Sequence, residues 1–234
     1  MSQRKIPFAF GEYYHIYNRG NSKQEIFKDD RDRQRLQSLL YIANGTKSFE
    51  FRDAQKVEIF DFDRGNQLVY IGAYCLMPNH FHILLTPAIE RGVQVFMQKL
   101  STGYSMYFNK KYERTGGLFE GRFKSRHANS DEYLKYLFSY IHLNPIKLIQ
   151  ADWKESGIRD LIRAREYLDG YGYSSLLDYL GVRTESVIVD GGKFPEYFRD
   201  KKEINEELLS WLEYRDIVEG YTEVGPPLPP LIST

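Results

Sequence analysis

The alternation of apolar and polar residues predicts four β-strands within the first 150 positions. Each of the four segments is rich in aromatic or β-branched residues and is bounded by turn residues, as is typical of strands. The predicted strands are residues 8–18, 67–76, 81–86 and 118–128. Met77, Pro78 and Asn79 separate the second strand from the third, so we expect these two to pair as antiparallel neighbours in the centre of the sheet.

Apolar residues at helical spacing predict three helices. The first begins after Asp29 or Asp30 and runs to Asn44 and Gly45, because an aspartate is a favoured N-cap and a glycine often ends a helix. The second covers about residues 89–112, and the third covers residues 131–143. Ser130 is the expected N-cap of the third helix, and Pro145 interrupts it.

This order of elements, β-α-β-β-α-β followed by a helix, predicts an α+β protein with a ferredoxin-like antiparallel sheet and two helices on one face. We assign it to a domain of residues 1–150, with an insertion at about 46–66. The apolar positions of the insertion change phase between Ile59 and Phe60, which fits a small extra strand with a bulge, or a hairpin.

The remaining residues, 151–234, form a partly helical C-terminal extension of opposite charge to the domain. Residues 1–150 contain 22 Lys and Arg against 15 Asp and Glu, a net charge of 22 − 15 = +7. Residues 151–234 contain 10 against 17, a net charge of 10 − 17 = −7. Three roles stay open for the extension: to cover the active site, to mimic DNA and restrain activity, or to complete the core.

The composition indicates a folded protein of the cytoplasm. Hydrophobic residues make up 42% of the 234 positions, which suffices for one substantial core. No apolar run reaches the roughly 18 residues that a membrane-spanning helix needs, and residues 1–10 lack the apolar segment of a signal peptide. Cys75 is the only cysteine, so neither an internal disulfide nor a multi-cysteine zinc site is expected.

His80 and His82 are the strongest candidates for metal ligands. They lie two residues apart in a predicted strand, so both imidazoles project from the same face. A His-x-His pair in a strand is more often structural than metal-binding. The apolar setting of this pair favours the metal site, because two histidines in a buried strand are costly without partners.

Tyr140 and Asn144 lie four residues apart in the last predicted helix, and hence on one face of it. If that helix crosses the sheet near the histidines, Asn144 offers an amide oxygen as a third ligand and Tyr140 presents its phenol to the metal. Two imidazoles and an amide oxygen suit Mg²⁺ or Mn²⁺. Alternatively, Tyr140 belongs to a core stripe with Tyr133 and Tyr136.

Such a site has the components for cutting a phosphodiester without water. The metal ion would withdraw charge from the phosphate while the Tyr140 oxygen attacks phosphorus. The products would be a covalent phosphotyrosine and a free hydroxyl. Because the phosphoester energy is conserved, the strand can be joined to another end.

Four sequence blocks resemble the single-tyrosine HUH transposases, and in particular the branch of REP-associated tyrosine transposases. The blocks are residues 14–20, 73–82, 121–123 and 140–145, in the order of that family. A weaker similarity continues at residues 171–175 and 178–181.

The resemblance implies that His80 and His82 are the metal pair, Tyr140 the nucleophile and Asn144 the further ligand, although relatives outside this branch often carry glutamine there. It also implies that a monomer or a homodimer cleaves and transfers single-stranded DNA beside an imperfect hairpin, through a 5′-phosphotyrosine. Basic residues are our candidates for contacts with the DNA backbone. They are Arg19, Lys110, Lys111, Arg122, Lys124 and Arg126.

Two other functions stay open on the sequence. One is a non-catalytic nucleic-acid-binding module, because ferredoxin-like sheets also bind RNA by stacking. The other is a metal-dependent hydrolase of small phosphoesters, in which Tyr140 would be structural.

Overall fold

Four antiparallel strands form one sheet, as the sequence predicts. The computed structural model describes residues 7–54, 57–183, 187–197 and 200–213. The strands are β1 (Tyr13–Arg19), β2 (Val69–Met77), β3 (His80–Pro87) and β4 (Lys124–Ala128). Their order across the sheet is β2-β3-β1-β4, with every neighbouring pair antiparallel. The predicted ferredoxin-like α+β fold is therefore confirmed.

Eight α-helices accompany the sheet within the described residues. They are α1 (Asp30–Ile42), α2 (Phe51–Ala54), α3 (Gly92–Lys111), α4 (Asp131–Leu143), α5 (Trp153–Ser156), α6 (Leu161–Gly170), α7 (Leu176–Tyr179) and α8 (Lys201–Glu213). None of these described helices is long and apolar enough to cross a membrane. The predicted N-caps are present: the Asp29 side chain accepts a hydrogen bond from Asp32 N, and that of Ser130 accepts one from Tyr133 N.

The two faces of the sheet carry different helices. Alternate residues of each strand point to opposite faces, so Ile16, Phe81 and Ile83 enter a core with α1 and α3. Cys75 and Leu84 face the other way and pack against α4. The helix that carries Tyr140 therefore lies across the face opposite α1 and α3, where it meets β2, β3 and β4.

Strand β2 lies at an edge of the sheet and not in its centre, so this part of the prediction is wrong. Its outer side is covered by the C-terminal extension, where the N–H of Leu76 donates to the carbonyl of Tyr173 and the N–H of Ser175 donates to that of Tyr74. The Ser175 hydroxyl also accepts a hydrogen bond from Tyr74 N at 2.9 Å. A covered edge needs apolar side chains on both faces, which is why its sequence resembles that of a central strand.

The insertion at 46–66 contains no strand among its described residues, contrary to the prediction. It holds α2 and a short 3₁₀ turn at Ile59–Asp61, and its ends are joined by hydrogen bonds from Thr46 N to Asn66 O and from Lys47 N to Arg64 O. Val57 remains half exposed, so strand pairing there would bury little apolar surface.

Three boundaries differ from the prediction for local reasons. Strand β1 begins at Tyr13 and β4 at Lys124, because Gly11 and Gly121 before them adopt positive φ angles of 74° and 78° that do not continue a strand. Helix α3 begins at Gly92, three residues after its predicted start, and follows Arg91 with φ of 57°.

Helices of the C-terminal extension complete the apolar core beside α4. Trp153, Leu168, Leu176 and Leu208 from α5, α6, α7 and α8 are buried together with Ile146, which follows the tyrosine helix. Of the three roles left open for the extension, completing the core is the one that this packing supports.

Candidate active site

Three histidines meet on the face of the sheet that α4 crosses. His80 and His82 alternate along β3, and His15 lies on the neighbouring strand β1 with its ring centroid 5.0 Å from that of His82. The ring centroids of His80 and His82 are 4.9 Å apart. The predicted shared face of His80 and His82 is therefore present, and the structure adds a third imidazole to it.

The ring of His82 is held from one side and presents an unpartnered nitrogen on the other. Its Nδ1 lies 2.9 Å from Nε2 of His15. One of these two nitrogens donates a hydrogen bond and the other accepts it. If His82 carries that proton on Nδ1, its Nε2 keeps a free lone pair. This Nε2 is buried and has no hydrogen-bond partner among the described residues, so it is available as a metal ligand.

His80 is oriented by its sequence neighbour. Nδ1 of His80 lies 2.6 Å from Oδ1 of Asn79, and the Asn79 amide nitrogen donates to the Lys23 carbonyl, which fixes the oxygen toward the imidazole. Because an oxygen can only accept, the proton is on Nδ1 of His80. The lone pair of its Nε2 is then free for a metal ion.

Burial keeps the three imidazoles neutral at physiological pH. Burial first, and Lys147 and Arg19 second, lower the pKa of His80 to about 3. Burial and Arg126 lower the pKa of His15 to about 3 as well, and burial holds the pKa of His82 well below its usual range. Neutral imidazole is the form that binds a metal, so the site is prepared for one.

Tyr140 lies directly over this group. Its ring centroid is 5.6 Å from that of His82 and 6.1 Å from that of His15, in edge-on contacts. Only 5% of Tyr140 is exposed, and burial raises the pKa of its phenol. The same helix face carries Tyr136, whose ring contacts both Tyr140 and Trp211 of α8. Tyr140 is therefore both part of an aromatic stripe and a neighbour of the histidines.

Asn144 follows Tyr140 by one helical turn and is buried at the end of α4. Its amide nitrogen donates to the Tyr140 carbonyl at 2.8 Å, which ties the side chain to the helix end. Since the nitrogen is occupied, the amide oxygen is the atom left for a ligand role.

The donor set fits a hard divalent ion with open coordination positions. The orphaned Nε2 of His82, the lone pair of His80 Nε2 and the amide oxygen of Asn144 are two nitrogens and one oxygen. The described residues contain no group of three or more His, Cys, Asp or Glu side chains that could hold a metal. The three donors His80, His82 and Asn144 would leave room for phosphate and water oxygens.

Three of the residues predicted to contact DNA, Arg19, Lys124 and Arg126, lie on strands near the histidines. A fourth, Arg122, precedes β4 in the chain. Lys124 and Arg126 of β4 pair in register with Tyr17 and His15, so their exposed side chains point to the histidine side of the sheet. Arg126 also donates to the Tyr133 hydroxyl at 3.4 Å. Arg19 pairs in register with His80 and forms two hydrogen bonds with the Glu120 carboxylate, each 3.1 Å long. Arg122 is exposed and precedes β4.

Lys110 and Lys111 lie at the end of α3, on the opposite side of the sheet from the histidines. Lys111 donates to Asp29 and to the fully buried carboxylate of Asp32, both at 2.7 Å. It thereby joins α3 to the start of α1. The structure does not bring these two lysines together with the other predicted site residues.

Sequence reasoning missed His15, Lys147 and Lys154. His15 sat in a predicted strand as a lone histidine, and only the pairing of β1 with β3 brings it to His82. Lys147 and Lys154 follow Tyr140 along the chain and act electrostatically on His82. The available signal was two lysines in the segment that follows the tyrosine helix.

The solved structures that match this chain include two of low sequence identity. One is described as a REP-associated tyrosine transposase bound to a REP hairpin, with 13% identity, a TM-score of 0.48, and coverage of 85% of this chain and 98% of that chain. The other is a bacterial tRNA(His) guanylyltransferase (Thg1)-like protein in complex with ATP, with 9% identity, a TM-score of 0.37, and coverage of 90% and 94%. No curated protein sequence matches this chain.

A sequence-family model described as "Transposase IS200 like" matches residues 9–144. The matched stretch begins before β1, ends at Asn144, and contains the histidines of β3 and Tyr140. It confirms the resemblance to single-tyrosine transposases that the four sequence blocks indicate. Because it spans more than half of the 234 residues, the chain belongs to the family of IS200-like transposases.

Proposed function

We propose that this transposase cleaves and rejoins single-stranded DNA next to a hairpin, with Tyr140 as the nucleophile and a Mg²⁺ or Mn²⁺ ion held by His80, His82 and Asn144. The observation that carries the proposal is the 5.6 Å separation of the Tyr140 and His82 rings within one chain. A phosphate bound to a metal ion at His82 would therefore lie beside the Tyr140 side chain.

The side chains divide the work of the reaction. Nε2 of His80 and Nε2 of His82, with the Asn144 amide oxygen, would hold the metal ion, which would supply positive charge to the scissile phosphate. Tyr140 Oη forms a bond to phosphorus, the bond from phosphorus to the 3′-oxygen breaks, and a 5′-phosphotyrosine and a 3′-hydroxyl result. His15 holds the ring of His82, and Asn79 holds that of His80.

The basic edge of the sheet supports a nucleic-acid substrate. Lys124 and Arg126 extend from β4 on the side where the tyrosine and histidines lie, and Arg122 precedes them in the chain. A strand of DNA that follows this edge would have its phosphates close to basic groups while one phosphate enters the site.

Formation of a covalent adduct tests the proposal. Wild-type protein is mixed with a library of hairpin-bearing single-stranded DNA and Mn²⁺, and a protein–DNA species that survives denaturation is expected. Tyr140→Phe should abolish the adduct, and His80→Ala should reduce it strongly. Tyr136→Phe, which removes a phenol one turn earlier on the same helix face, is the matched control and should react as the wild type does.

The other outcomes separate the rival functions. If no adduct forms but the protein still binds the DNA without a metal ion, the protein would be a non-catalytic binding module. Turnover of small phosphoesters without an adduct would indicate a hydrolase. An adduct that Tyr140→Phe forms as well as the wild type would refute the role of Tyr140.

A further inference from the structure

A cleft of about 1070 Å³ lies between α1, α3 and the insertion, on the side of the sheet away from the histidines. Its walls include Arg35 of α1, Phe51 of the insertion, and Gly103, Met106 and Tyr107 of α3. Sites for small ligands usually enclose about 300 to 1,000 Å³, so the cleft has room for one. None of the described residues that line it belongs to the candidate active site.

The guanidinium of Arg35 is held between two aromatic rings of this cleft. Its central carbon lies 3.4 Å from the ring centroid of Phe51 and 4.4 Å from that of Tyr107. Stacking of this kind fixes the plane of a guanidinium and leaves its N–H groups available for an anion. Burial lowers the pKa of Arg35, and no carboxylate pairs with it within the described ranges. Arg35 is therefore a positioned cation that lacks a counter-ion there.

Two more cations beside Arg35 lack a carboxylate partner among the residues that the structure describes. Lys110 lines the cleft, and Arg31 lines a smaller pocket that shares Arg35 with it. The carboxylate of Glu50, which also lines the cleft, is 3.6 Å from the guanidinium of Arg52 and offsets that charge. The charge that remains in the cleft is positive, which favours an anionic ligand.

Two other lysines of the cleft already have structural contacts. Lys99 donates to the carbonyls of Gly45 and Lys47, and so joins α3 to the start of the insertion. Lys111 donates to two carboxylates at the start of α1. These contacts hold the walls of the cleft in place, and they leave Arg35 and Lys110 as the cations available to a ligand.

A glycine keeps the floor of the cleft open. Gly103 lies inside α3, where glycine is less favourable than any residue except proline. A Cβ atom at this position would lie 3.4 Å from a methyl carbon of Leu39, an ordinary contact, so packing against α1 does not require the glycine. Met106 and Tyr107 follow by one turn on the same helix face, and Met106 is 69% exposed. The space above Gly103 therefore suits a flat apolar group.

We propose that the cleft binds a nucleotide, with its base above Gly103 and its phosphate on Arg35 and Lys110. A nucleobase stacks on aromatic and apolar side chains, and a phosphate accepts hydrogen bonds from guanidinium and ammonium groups. An inorganic anion alone would leave the apolar floor uncovered, and an apolar ligand alone would leave Arg35 without a counter-ion. The nucleotide is either free or part of an unpaired DNA strand, because both present the same base and phosphate. The inference does not rest on the proposed function, since Tyr140 lies on the other face of the sheet.

Isothermal titration of the full-length protein with dTMP, with a short single-stranded oligothymidylate and with inorganic phosphate tests the proposal. Inorganic phosphate should bind about 10-fold more weakly than the nucleotide ligand, because it has no base to stack. Arg35→Met keeps an apolar stem between the two rings and should weaken nucleotide binding by about 10- to 100-fold through the loss of charged hydrogen bonds. Arg33→Met is the matched control, because Arg33 lies on α1 outside the cleft and pairs with Asp30. It should bind each ligand as the wild type does.

Two further variants separate base recognition from charge and from misfolding. Gly103→Leu fills the floor and keeps every cation, so it should weaken nucleotide binding and leave the binding of inorganic phosphate unchanged. A misfolded variant would lose both ligands, so the phosphate titration also shows that Gly103→Leu is folded. Arg35→Lys keeps the charge without the flat group that stacks, and should retain only part of the wild-type affinity.

The same titrations separate the two sources of the nucleotide. Equal affinity for dTMP and the oligothymidylate would indicate a free nucleotide. Tighter binding of the oligothymidylate, weakened in Arg35→Met, would indicate a DNA strand. An iodinated thymidine analogue within that strand should then crosslink under ultraviolet light to Phe51, Met106 or Tyr107.

Three results would overturn the proposal: no binding of either nucleotide ligand to the wild type, wild-type affinity in Arg35→Met, or phosphate binding as tight as that of the nucleotide. Crosslinks of the strand confined to β4 would overturn it as well. Tyr140→Phe should bind both nucleotide ligands as the wild type does. Failure of this site and failure of the proposed function are therefore distinguishable.

Discussion

Nε2 of His15 lies 2.9 Å from Nδ1 of His82, and both rings are fully buried on neighbouring strands. The pairing of β1 with β3 creates this contact, which fixes the orientation of His82 and leaves its Nε2 without a hydrogen-bond partner among the described residues. A metal ligand held in this way loses little freedom when it binds an ion.

The first prediction concerns His15 as the support of a metal ligand. His15→Leu should weaken Mn²⁺ binding by about 10- to 100-fold, because outer partners of ligating histidines typically have effects of this size. Isothermal titration of the folded variants with Mn²⁺ measures the affinity. His127→Gln removes a histidine that contacts Glu12 at the far end of β4 and should bind Mn²⁺ as the wild type does. Equal affinity in His15→Leu would refute the supporting role.

The second prediction separates the two functions of the Asn144 side chain. Asn144→Asp and Asn144→Leu both lose the hydrogen bond to the Tyr140 carbonyl, so both should be less stable by about 1 kcal/mol in chemical denaturation. Only Asn144→Asp keeps an oxygen, now charged, and it should bind Mn²⁺ more tightly than the wild type while Asn144→Leu binds it more weakly. If both variants bound Mn²⁺ with the wild-type affinity, Asn144 would not be a ligand.

The third prediction concerns the ion pair between Asp32 and Lys111 on the opposite face of the sheet. Burial alone would raise the pKa of Asp32, but hydrogen bonds from Lys111 and Tyr112 outweigh it and lower the pKa. Asp32→Asn leaves Asp29 as the remaining carboxylate partner of Lys111, and should reduce the free energy of unfolding at pH 7 by about 2 kcal/mol, since charged hydrogen bonds are lost. Urea denaturation measures this difference.

The pH dependence of this ion pair provides its control. Because the folded-state pKa of Asp32 is lowered, its contribution is complete above the usual carboxyl pKa and is lost as the pH falls through the folded-state value. The difference between wild type and Asp32→Asn should therefore shrink on acidification. The neighbouring Asp30→Asn, at an exposed carboxylate, should change stability by less than about 0.5 kcal/mol. A difference that grew on acidification would contradict the assignment.

The fourth prediction concerns the basic edge strand. Lys124→Gln and Arg126→Gln should each reduce by about 1 the slope of log affinity against log salt for hairpin DNA. Fluorescence anisotropy at several salt concentrations measures the slope. Lys47→Gln, at an exposed ion pair with Asp63 in the insertion, should leave it unchanged. Unchanged slopes in both β4 variants would exclude phosphate contacts at this edge.

The fold was predictable where local pattern and burial agree. The apolar positions of α1 and the residues of β3 follow helical and strand periods, and the caps at Asp29 and Ser130 are determined by neighbouring residues alone. The edge position of β2 was not predictable, because apolar residues on both faces are equally consistent with a central strand and with an edge covered by another segment.

The candidate active site was also predictable only in part. The spacing of His80 with His82, and of Tyr140 with Asn144, was sufficient to identify two pairs that each share a face. The 5.6 Å approach of Tyr140 to His82 depends on how α4 crosses the sheet, and no spacing along the chain contains that angle. Lys111 was predicted to contact DNA from its charge alone, whereas its ion pair with Asp32 joins two helices far apart in sequence.

The sequence by itself determined the order of elements, the ferredoxin-like sheet and the residue types available for chemistry, because periodicity and capping act over a few residues. Tertiary structure alone decided that His15 supports His82, that the C-terminal extension covers β2, and that Lys154 lies over Tyr140. These contacts join segments separated by 14 to 101 residues along the chain, and they form because packing the apolar faces of the sheet and helices leaves the polar groups between them no other partners.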